Sequence, residues 1–342
     1  MIITHFEISS IKIALKTPFI TALRRVAFVE SVRLFIHTDT GAIGIGEAPP
    51  TKAITGEDAE DIIHTLKHII MPQLIGHHLD TPSKLFDTLH NSCEAHTSAK
   101  AAVDIAIYDL LSKKAGLASY LGAKTETVQT DVTISLNAPK KMAEDAQRAV
   151  ADTFTVLKVK VGAKDGADIQ RIQAVCEAVP NATILLDANQ AWSLAEAIQI
   201  LEHLHYPNIA LVEQPLMAQD LKGMKVLTQL KKLPILADES AFNLSQVKTI
   251  VQTQSANMIN IKLMKCGGIY KAIEIIKYCK EKHIKCMMGS MLEGPYSIAA
   301  AIALVLAYPE VFLYCDLDSP QLYKELPHDA PMILHNDTLT LR

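Results

Sequence analysis

Three carboxylates and a lysine recur at nearly even intervals in the middle of the chain, and each closes a short apolar run. They are Asp187, Glu213, Asp238 and Lys262, with successive spacings of 26, 25 and 24 residues. Each interval is long enough for one buried strand, a turn, a helix and a second turn. The active groups of such βαβ sheets lie at the carboxyl ends of the strands. Three carboxylates in that position could converge on one cation.

The same interval continues in both directions along the chain. It reaches Lys160 and Thr133 on the amino-terminal side, and Ser290 and Asp316 on the carboxy-terminal side. Eight strand ends at this spacing predict an α/β fold, a modified TIM barrel of the (β/α)7β type with catalytic groups at one face. An open doubly wound sheet is the alternative, but no glycine-rich dinucleotide turn supports it.

The length of the chain leaves room for a second domain. Its 342 residues exceed one barrel of roughly 250 residues or fewer. Imperfectly alternating stretches at 2–15 and 29–38 precede helical periodicity over 57–115. We therefore predict an α+β capping domain at 1–118, a barrel with the active site at 119–318, and a tail at 319–342 that returns to the capping domain.

Composition excludes several classes of protein. A net charge of −4 without a long basic block argues against a nucleic-acid surface. The most apolar stretch, 298–307, is far shorter than the ~20 residues needed to span a bilayer and is expected to be a buried helix. The six cysteines include no CxxC pair, which favours reduced thiols. The amino terminus shows no secretory signal. We expect a cytoplasmic protein with no nucleic-acid or membrane partner.

The three carboxylates suit a particular metal. Asp187, Glu213 and Asp238 offer only hard oxygen ligands, with no cysteine or histidine in register, which favours Mg²⁺ over zinc. Any one of them could instead cap the helix that follows its strand. Even spacing and two flanking lysines favour the metal site.

Lys160 and Lys262 end the second and sixth predicted strands, so we expect them to face each other across the barrel mouth. Burial near a divalent cation and another ammonium would lower a lysine pKa from ~10.4 toward ~7–8, where the neutral amine acts as a base. One lysine could remove a proton next to a metal-bound carboxylate, and the other could return it from the opposite side. The enediolate formed between these steps would be stabilised by Mg²⁺. The result would be epimerisation.

Two further groups suggest what the substrate carries. Asp316 and Asp318 share a face of the last strand by the period of two, and together they would suit a substrate ammonium. Salt bridges within their loop are the alternative. Arg24 would suit an anionic side chain, because a guanidinium binds a carboxylate in a bidentate manner. The pattern does not separate Arg24 from Arg25, and either arginine could lie on the surface.

Taken together, these motifs resemble the enolase superfamily, specifically its muconate-lactonizing-enzyme-like subgroup. The motifs that carry the resemblance are Lys158-Val159-Lys160, Asp187-Ala188-Asn189, Glu213-Gln214-Pro215, Asp238-Glu239-Ser240 and Lys262-Leu263-Met264-Lys265-Cys266-Gly267-Gly268. Within the subgroup the chain looks like a dipeptide epimerase of the Ala-Glu type. Asp316-Leu317-Asp318 matches that family's aspartate pair, and the stretches TALRRVAFVESV and EAPPTKAITGED also look like those of the Ala-Glu enzymes.

The resemblance implies a Mg²⁺-dependent isomerase that epimerises a dipeptide, with L-Ala-D/L-Glu as the leading substrate. It implies a role in cell-wall peptide metabolism and permits a homo-oligomer. It places Lys158 near the metal-bound carboxylate, where it would hold Lys160 in a low-pKa state. By matching positions, the pocket would be lined by Thr133, Ile54, Ser290 and Leu292. We expect Lys158 to leave its strand on the side opposite Lys160, and Lys265 to lie on the surface.

Other functions use the same scaffold. A cycloisomerase or an o-succinylbenzoate synthase-like lyase would use the same lysines and Mg²⁺, but its substrate would leave Asp316 and Asp318 without a partner. A sugar-acid dehydratase would bring a histidine to a late strand end, and GSMLE has none there. A non-catalytic binding protein is the alternative of another class. The retention of every acid, base and ligand group argues against it.

Overall fold

A computed structural model describes residues 1–20 and 25–342 of the chain. The strands are β1 (Ile3–Ile20), β2 (Arg25–Thr38), β3 (Ile43–Ala48), β4 (Val128–Gln129), β5 (Val132–Ile134), β6 (Val156–Lys160), β7 (Thr183–Asp187), β8 (Ile209–Glu213), β9 (Ile235–Ala237), β10 (Met258–Ile261), β11 (Lys285–Gly289), β12 (Phe312–Asp316), β13 (Met332–His335) and β14 (Thr338–Leu341).

The helices occur between these strands and in the amino-terminal part. They are α1 (Lys52–Thr55), α2 (Ala59–Thr65), α3 (Met71–Leu74), α4 (Pro82–Asn91), α5 (Thr97–Ser112), α6 (Leu117–Leu121), α7 (Pro139–Ala151), α8 (Asp168–Ala178), α9 (Leu194–His203), α10 (Leu221–Leu230), α11 (Leu244–Thr253), α12 (Leu263–Cys266), α13 (Ile269–Glu281), α14 (Pro295–Ala307) and α15 (Ser319–Leu322), with a π-helical turn at Leu66–Ile70 between α2 and α3.

Strands β5 to β12 form one eight-stranded parallel sheet in sequence order. Each neighbouring pair is joined through a helix of ten or more residues, namely α7, α8, α9, α10, α11, α13 and α14. The two ends of the sheet meet where the Asp131 amide donates to Cys315 O at 2.9 Å and the Leu317 amide donates to Thr130 Oγ1 at 2.9 Å. Eight strands and seven crossover helices confirm the predicted (β/α)7β barrel.

An apolar layer fills the barrel below its mouth. Its buried members are Leu185, Leu211, Leu236, Met258 and Met287. The first three each lie two residues before one of the predicted metal carboxylates. Residues two apart on a strand share a face, so the carboxylates also point into the barrel, one level closer to its mouth.

The outer layer of the barrel consists of its helices. α14 is buried along almost its whole length, as expected for the apolar stretch at 298–307. No helix within residues 1–20 and 25–342 is both long and apolar enough to cross a membrane.

The amino-terminal part is an antiparallel sheet, β1-β2-β3, with α5 packed against it. The close approach of α5 depends on glycine. A Cβ at Gly46 would lie 1.9 Å from Ala102 O, and one at Gly44 would lie 2.2 Å from Ala106 O. The end of the β1-β2 pair at Ile20 and Arg25 lies at the barrel mouth, where the Leu136 amide donates to Ile20 O at 3.1 Å.

The carboxy-terminal tail contacts both parts of the molecule. β13 and β14 form a small sheet with β4. The tail also reaches the amino-terminal sheet, because the Lys324 amide donates to Ala14 O at 2.7 Å and Asp329 pairs with Arg33 at 2.5 Å. The predicted domain boundaries at residues 118 and 318 stay predictions.

Candidate active site

The eight predicted strand ends fall in or next to the observed strands. Lys160, Asp187, Glu213 and Asp316 are the last residues of β6, β7, β8 and β12, Thr133 lies within β5, and Asp238, Lys262 and Ser290 directly follow β9, β10 and β11. Because all eight strands are parallel, these residues gather at one end of the barrel.

Lys158 lies inside the barrel together with Lys160, so the expectation that the two lysines leave the strand on opposite sides was wrong. Residues two apart share a strand face. The Lys158 side chain is 1% exposed, and its Nζ lies 2.6 Å from Asp316 Oδ2, 2.8 Å from Glu213 Oε2 and 3.1 Å from Asp187 Oδ2. Burial lowers the pKa of Lys158, but these carboxylates raise it well above the ordinary value on balance. The lysine therefore joins three strand ends electrostatically.

The two lysines predicted to act as bases line one pocket. Lys160 Nζ donates to Asp187 Oδ2 at 2.5 Å and to Asn189 Oδ1 at 3.3 Å. Lys262 Nζ donates to Asp238 Oδ2 at 2.8 Å. Burial lowers the pKa of Lys262, but the Asp238 carboxylate raises it on balance. The pKa of Lys262 is therefore not lowered in this arrangement, because the Asp238 carboxylate accepts its hydrogen bond.

The three predicted metal carboxylates are buried and differ in their surroundings. Burial raises the pKa of Asp187, but Lys160 and Lys158 lower it on balance. Burial, together with the charge of Asp187, raises the pKa of Glu213 to about 7. Glu213 Oε1 accepts a hydrogen bond from Asn260 Nδ2 at 2.7 Å.

Asp238 is positioned by contacts to its backbone amide and to its carboxylate. Its amide donates to Gln214 Oε1 at 2.9 Å, and Gln214 also accepts from the Ser240 amide at 3.1 Å. Gln214 adopts a φ of 34°, a left-handed backbone conformation that is uncommon for residues other than glycine. Burial raises the pKa of Asp238, but Lys262 and Lys265 lower it on balance.

Lys265 is a buried part of this site, so its expected place on the surface was wrong. Its side chain is 1% exposed, and Nζ lies 2.6 Å from Asp238 Oδ1. Nζ also donates to Asp238 O at 2.7 Å and to Asn260 O at 2.8 Å. The short helix α12 turns the chain back directly after β10, which brings this amine under Asp238.

The pocket brings together most of the predicted substrate residues with several that sequence reasoning missed. The predicted residues that line it are Ile54, Thr133, Ser290, Leu292, Asp316 and Asp318, and the missed ones include Phe19, Asn189, Glu239, Met291 and Ser319. Asn189 directly follows Asp187-Ala188, and Glu239 directly follows Asp238. Their place beside the predicted metal ligands was the sequence signal that could have identified them. Arg24 lies outside the described residues, and Arg25 is exposed at the start of β2.

Asp316 and Asp318 form a buried acidic cluster with Asp131, which the sequence analysis did not single out. One carboxylate oxygen from each lies within 4.8 Å of the others. Asp318 Oδ2 accepts from the Thr133 amide at 2.7 Å, and burial together with Asp316 raises the pKa of Asp318 to about 6. Both Asp131 oxygens are buried, and neither has a hydrogen-bond partner in the part of the chain that the structure describes. This concentration of acid groups favours a cationic ligand beside them.

Electrostatics and donor chemistry both fit a divalent cation at the mouth. The buried carboxyl groups at the mouth outnumber the buried lysines. The carboxyl groups are Asp131, Asp187, Glu213, Asp238, Glu239, Asp316 and Asp318, and the lysines are Lys158, Lys160, Lys262 and Lys265. Glu239 Oε2 is buried, and none of the described residues forms a hydrogen bond with it. Burial together with Asp238 raises the pKa of Glu239 to about 8. Oxygen donors of this kind suit Mg²⁺.

Two family descriptions together match most of the chain. Residues 4–121 match the mandelate racemase / muconate lactonizing enzyme N-terminal domain, and residues 141–342 match the enolase C-terminal domain-like family. The chain therefore belongs to the mandelate racemase / muconate lactonizing enzyme family of the enolase superfamily, as its motifs predicted.

Several proteins that are similar over most of the chain are named epimerases. The chain is 44% identical over 326 residues to an L-amino acid-D/L-Glu epimerase of Sulfurimonas denitrificans, covering 94% of each chain. It is similar to a substrate-liganded L-Ala-D/L-Glu epimerase of Bacillus subtilis, with a TM-score of 0.96, 38% identity, and coverage of 100% of this chain and 97% of that one. A dipeptide epimerase of Enterococcus faecalis complexed with Mg and L-Leu-L-Tyr has a TM-score of 0.93, 35% identity, and coverage of 100% and 98%.

Proposed function

We propose that this protein is a Mg²⁺-dependent dipeptide epimerase that inverts the α-carbon of the C-terminal residue, with Ala-Glu as its leading substrate. The observation that carries the proposal is a single pocket lined by two buried lysines and by a pair of buried aspartates. Two bases allow proton removal and return, and the aspartates provide a counter-charge for a free amino terminus. The names of the relatives support the same reaction class.

Asp187, Glu213 and Asp238 would hold Mg²⁺. When bound, Mg²⁺ neutralises carboxylate charge, which lowers the pKa of nearby ammonium groups and stabilises negative charge that develops on the substrate carboxylate. Asn260 and Lys265 would fix two of these carboxylates in place, because each contacts one of them directly.

Lys160 and Lys262 would act as the two bases. They come from the second and sixth barrel strands, and both reach the same pocket. One neutral amine would take the α-proton, leaving an enediolate, and the opposite ammonium would deliver a proton to the other face of the carbon. Lys158 would hold Asp187, Glu213 and Asp316 together beneath the reacting atoms, because its Nζ contacts all three.

Asp316 and Asp318 would bind the substrate ammonium and so set the position of the dipeptide. The pocket wall would be completed by Thr133, Ile54, Ser290 and Leu292. Arg24 would bind the glutamate side chain. Its assignment rests on its residue type and on its place in the sequence between Ile20 and Arg25, where β1 and β2 approach the barrel mouth.

The proposal is tested by incubating the protein with Mg²⁺ and a library of L,L-dipeptides in D₂O, and measuring deuterium at the C-terminal α-carbon by mass spectrometry. We expect strong incorporation into Ala-Glu, with both epimers appearing, and a loss of this preference in Arg24→Met. Incorporation confined to neutral or basic dipeptides would refute the substrate. No incorporation by folded, Mg²⁺-loaded protein would refute the epimerase and favour a lyase or cycloisomerase of the same subgroup.

A variant of one catalytic lysine separates an enzyme from a binding protein on the same scaffold. Lys160→Ala should retain dipeptide binding, measured by calorimetry, while it loses interconversion of the two epimers. A wild-type protein that binds Ala-Glu without any α-proton exchange would support the non-catalytic alternative.

A further inference from the structure

Three side chains with metal-binding chemistry lie together on the amino-terminal sheet, away from the barrel strand ends. They are His5 and Glu7 on β1 and His37 on β2, and one nitrogen or oxygen from each lies within 4.8 Å of the others. We call this group the His5-Glu7-His37 cluster. None of its members contributes to the pocket described above.

The strand register brings the three side chains together. β1 and β2 are antiparallel, and His5 is the direct partner of His37. Glu7 follows His5 by two residues and shares its face. The alternate residues Phe6 and Ile8 pack against the core, so the cluster lies on the solvent side of the sheet. The sheet therefore fixes the backbone positions of the three candidate ligands.

The local contacts leave ligand atoms free. His37 Nε2 is buried without a hydrogen-bond partner among residues 1–20 and 25–342, and it lies 3.6 Å from Glu7 Oε1. His5 Nδ1 lies 3.0 Å from Thr4 Oγ1, which leaves the Nε2 of His5 available. The two imidazole rings stack with centroids 4.2 Å apart and an interplanar angle of 13°. The ring nitrogens of the two histidines and a Glu7 carboxylate oxygen are therefore close enough to share one ion.

We propose that the His5-Glu7-His37 cluster binds a divalent transition-metal ion, with Zn²⁺ as the representative ligand. Two imidazoles and one carboxylate form a ligand set that suits Zn²⁺ and its neighbours in the first transition row, whereas Mg²⁺ prefers oxygen donors. Three protein ligands leave a fourth position for water. The bound ion would connect β1 to β2. This site is independent of the proposed epimerase function.

The test is a calorimetric titration with Zn²⁺ in excess Mg²⁺, which occupies the oxygen ligands at the barrel mouth. We expect saturable binding in the wild type and a loss of affinity of roughly tenfold or more in His37→Ala and in Glu7→Gln. The matched control is His64→Ala. It alters a different histidine pair, His64 and His68, whose ring centroids lie 4.8 Å apart but which lacks the carboxylate of the cluster.

Epimerase activity measured without Zn²⁺ should be unchanged in Glu7→Gln, which also controls for folding because this side chain is exposed. Unchanged Zn²⁺ affinity in both His37→Ala and Glu7→Gln, or its loss in His64→Ala, would overturn the assignment.

Discussion

Replacement of Lys265 by methionine should destabilise the fold and weaken Mg²⁺ binding together. The side chain is 1% exposed, and its amine donates to Asp238 Oδ1, Asp238 O and Asn260 O at 2.6, 2.7 and 2.8 Å. Methionine preserves much of the length and apolar contact of the lysine stem. It removes the charge and every one of these hydrogen bonds.

The expected magnitude follows from the burial of the pair. Breaking a buried ion pair by removing one partner costs about 3–5 kcal/mol. Lys262 still contacts Asp238 Oδ2 at 2.8 Å, so we expect a loss near the lower end, about 3 kcal/mol of unfolding free energy. Loss of a group that orients a metal ligand weakens metal binding roughly tenfold to hundredfold.

Urea unfolding and Mg²⁺ calorimetry measure the two effects. The matched control is Lys271→Met, because Lys271 pairs with Glu274 at 3.0 Å with both side chains more than a third exposed. An exposed pair of this kind contributes about 0–1 kcal/mol. If Lys265→Met unfolds within about 0.5 kcal/mol of the wild type and binds Mg²⁺ equally well, the positioning role inferred for Lys265 is wrong.

Three further variants test the buried carboxyl groups. Burial raises the pKa of Glu293 to about 7, above the ~4.3 of a glutamate in an unfolded chain. Between these two pH values the folded state binds more protons than the unfolded state. The free energy of unfolding should therefore fall as the pH rises through this window. Urea unfolding of Glu293→Gln should show a flatter pH dependence there, and a wild-type slope in the variant would contradict this cause. Asp318→Asn should raise KM for a dipeptide with a free amino terminus roughly tenfold to hundredfold, because a charged hydrogen bond is lost. Binding of an N-acetylated dipeptide, measured by calorimetry, should be unchanged. Equal effects on both ligands would exclude an ammonium site. Asp131→Asn should unfold at the same or a higher urea concentration at pH 7, because the buried Asp131 carboxyl has no hydrogen-bond partner among the described residues and adjoins two other acids. A loss of unfolding free energy above about 1 kcal/mol would show that the ionised group stabilises the fold.

The barrel could be predicted from the sequence because residues at the strand ends recur at nearly even spacing. Every strand of the barrel ends at or near a chemically informative residue, so an error at one position could not change the period. The same repetition predicted that the three carboxylates share one end of the barrel. The family and the (β/α)7β fold are confirmed, whereas the roles of the individual residues stay proposals.

Contacts between distant segments were harder to predict. Lys265 looked like a surface residue because it lies beyond a strand end, and only the turn made by α12 returns its amine to Asp238. Asp131 directly precedes β5, whereas its acidic neighbours Asp316 and Asp318 lie at and after the end of β12, the last barrel strand. The orientation of Lys158 was predictable from the strand period and was misjudged.

The measurement that tests the two-base mechanism most directly is α-proton exchange in D₂O by Lys160→Ala and Lys262→Ala, each supplied separately with L-Ala-L-Glu and L-Ala-D-Glu. Each variant should lose interconversion of the epimers. Each should still exchange the α-proton of one epimer, and the two variants should retain opposite epimers, because the remaining lysine addresses one face of the carbon. Retention of the same epimer by both variants, or interconversion that survives either substitution, would contradict the mechanism.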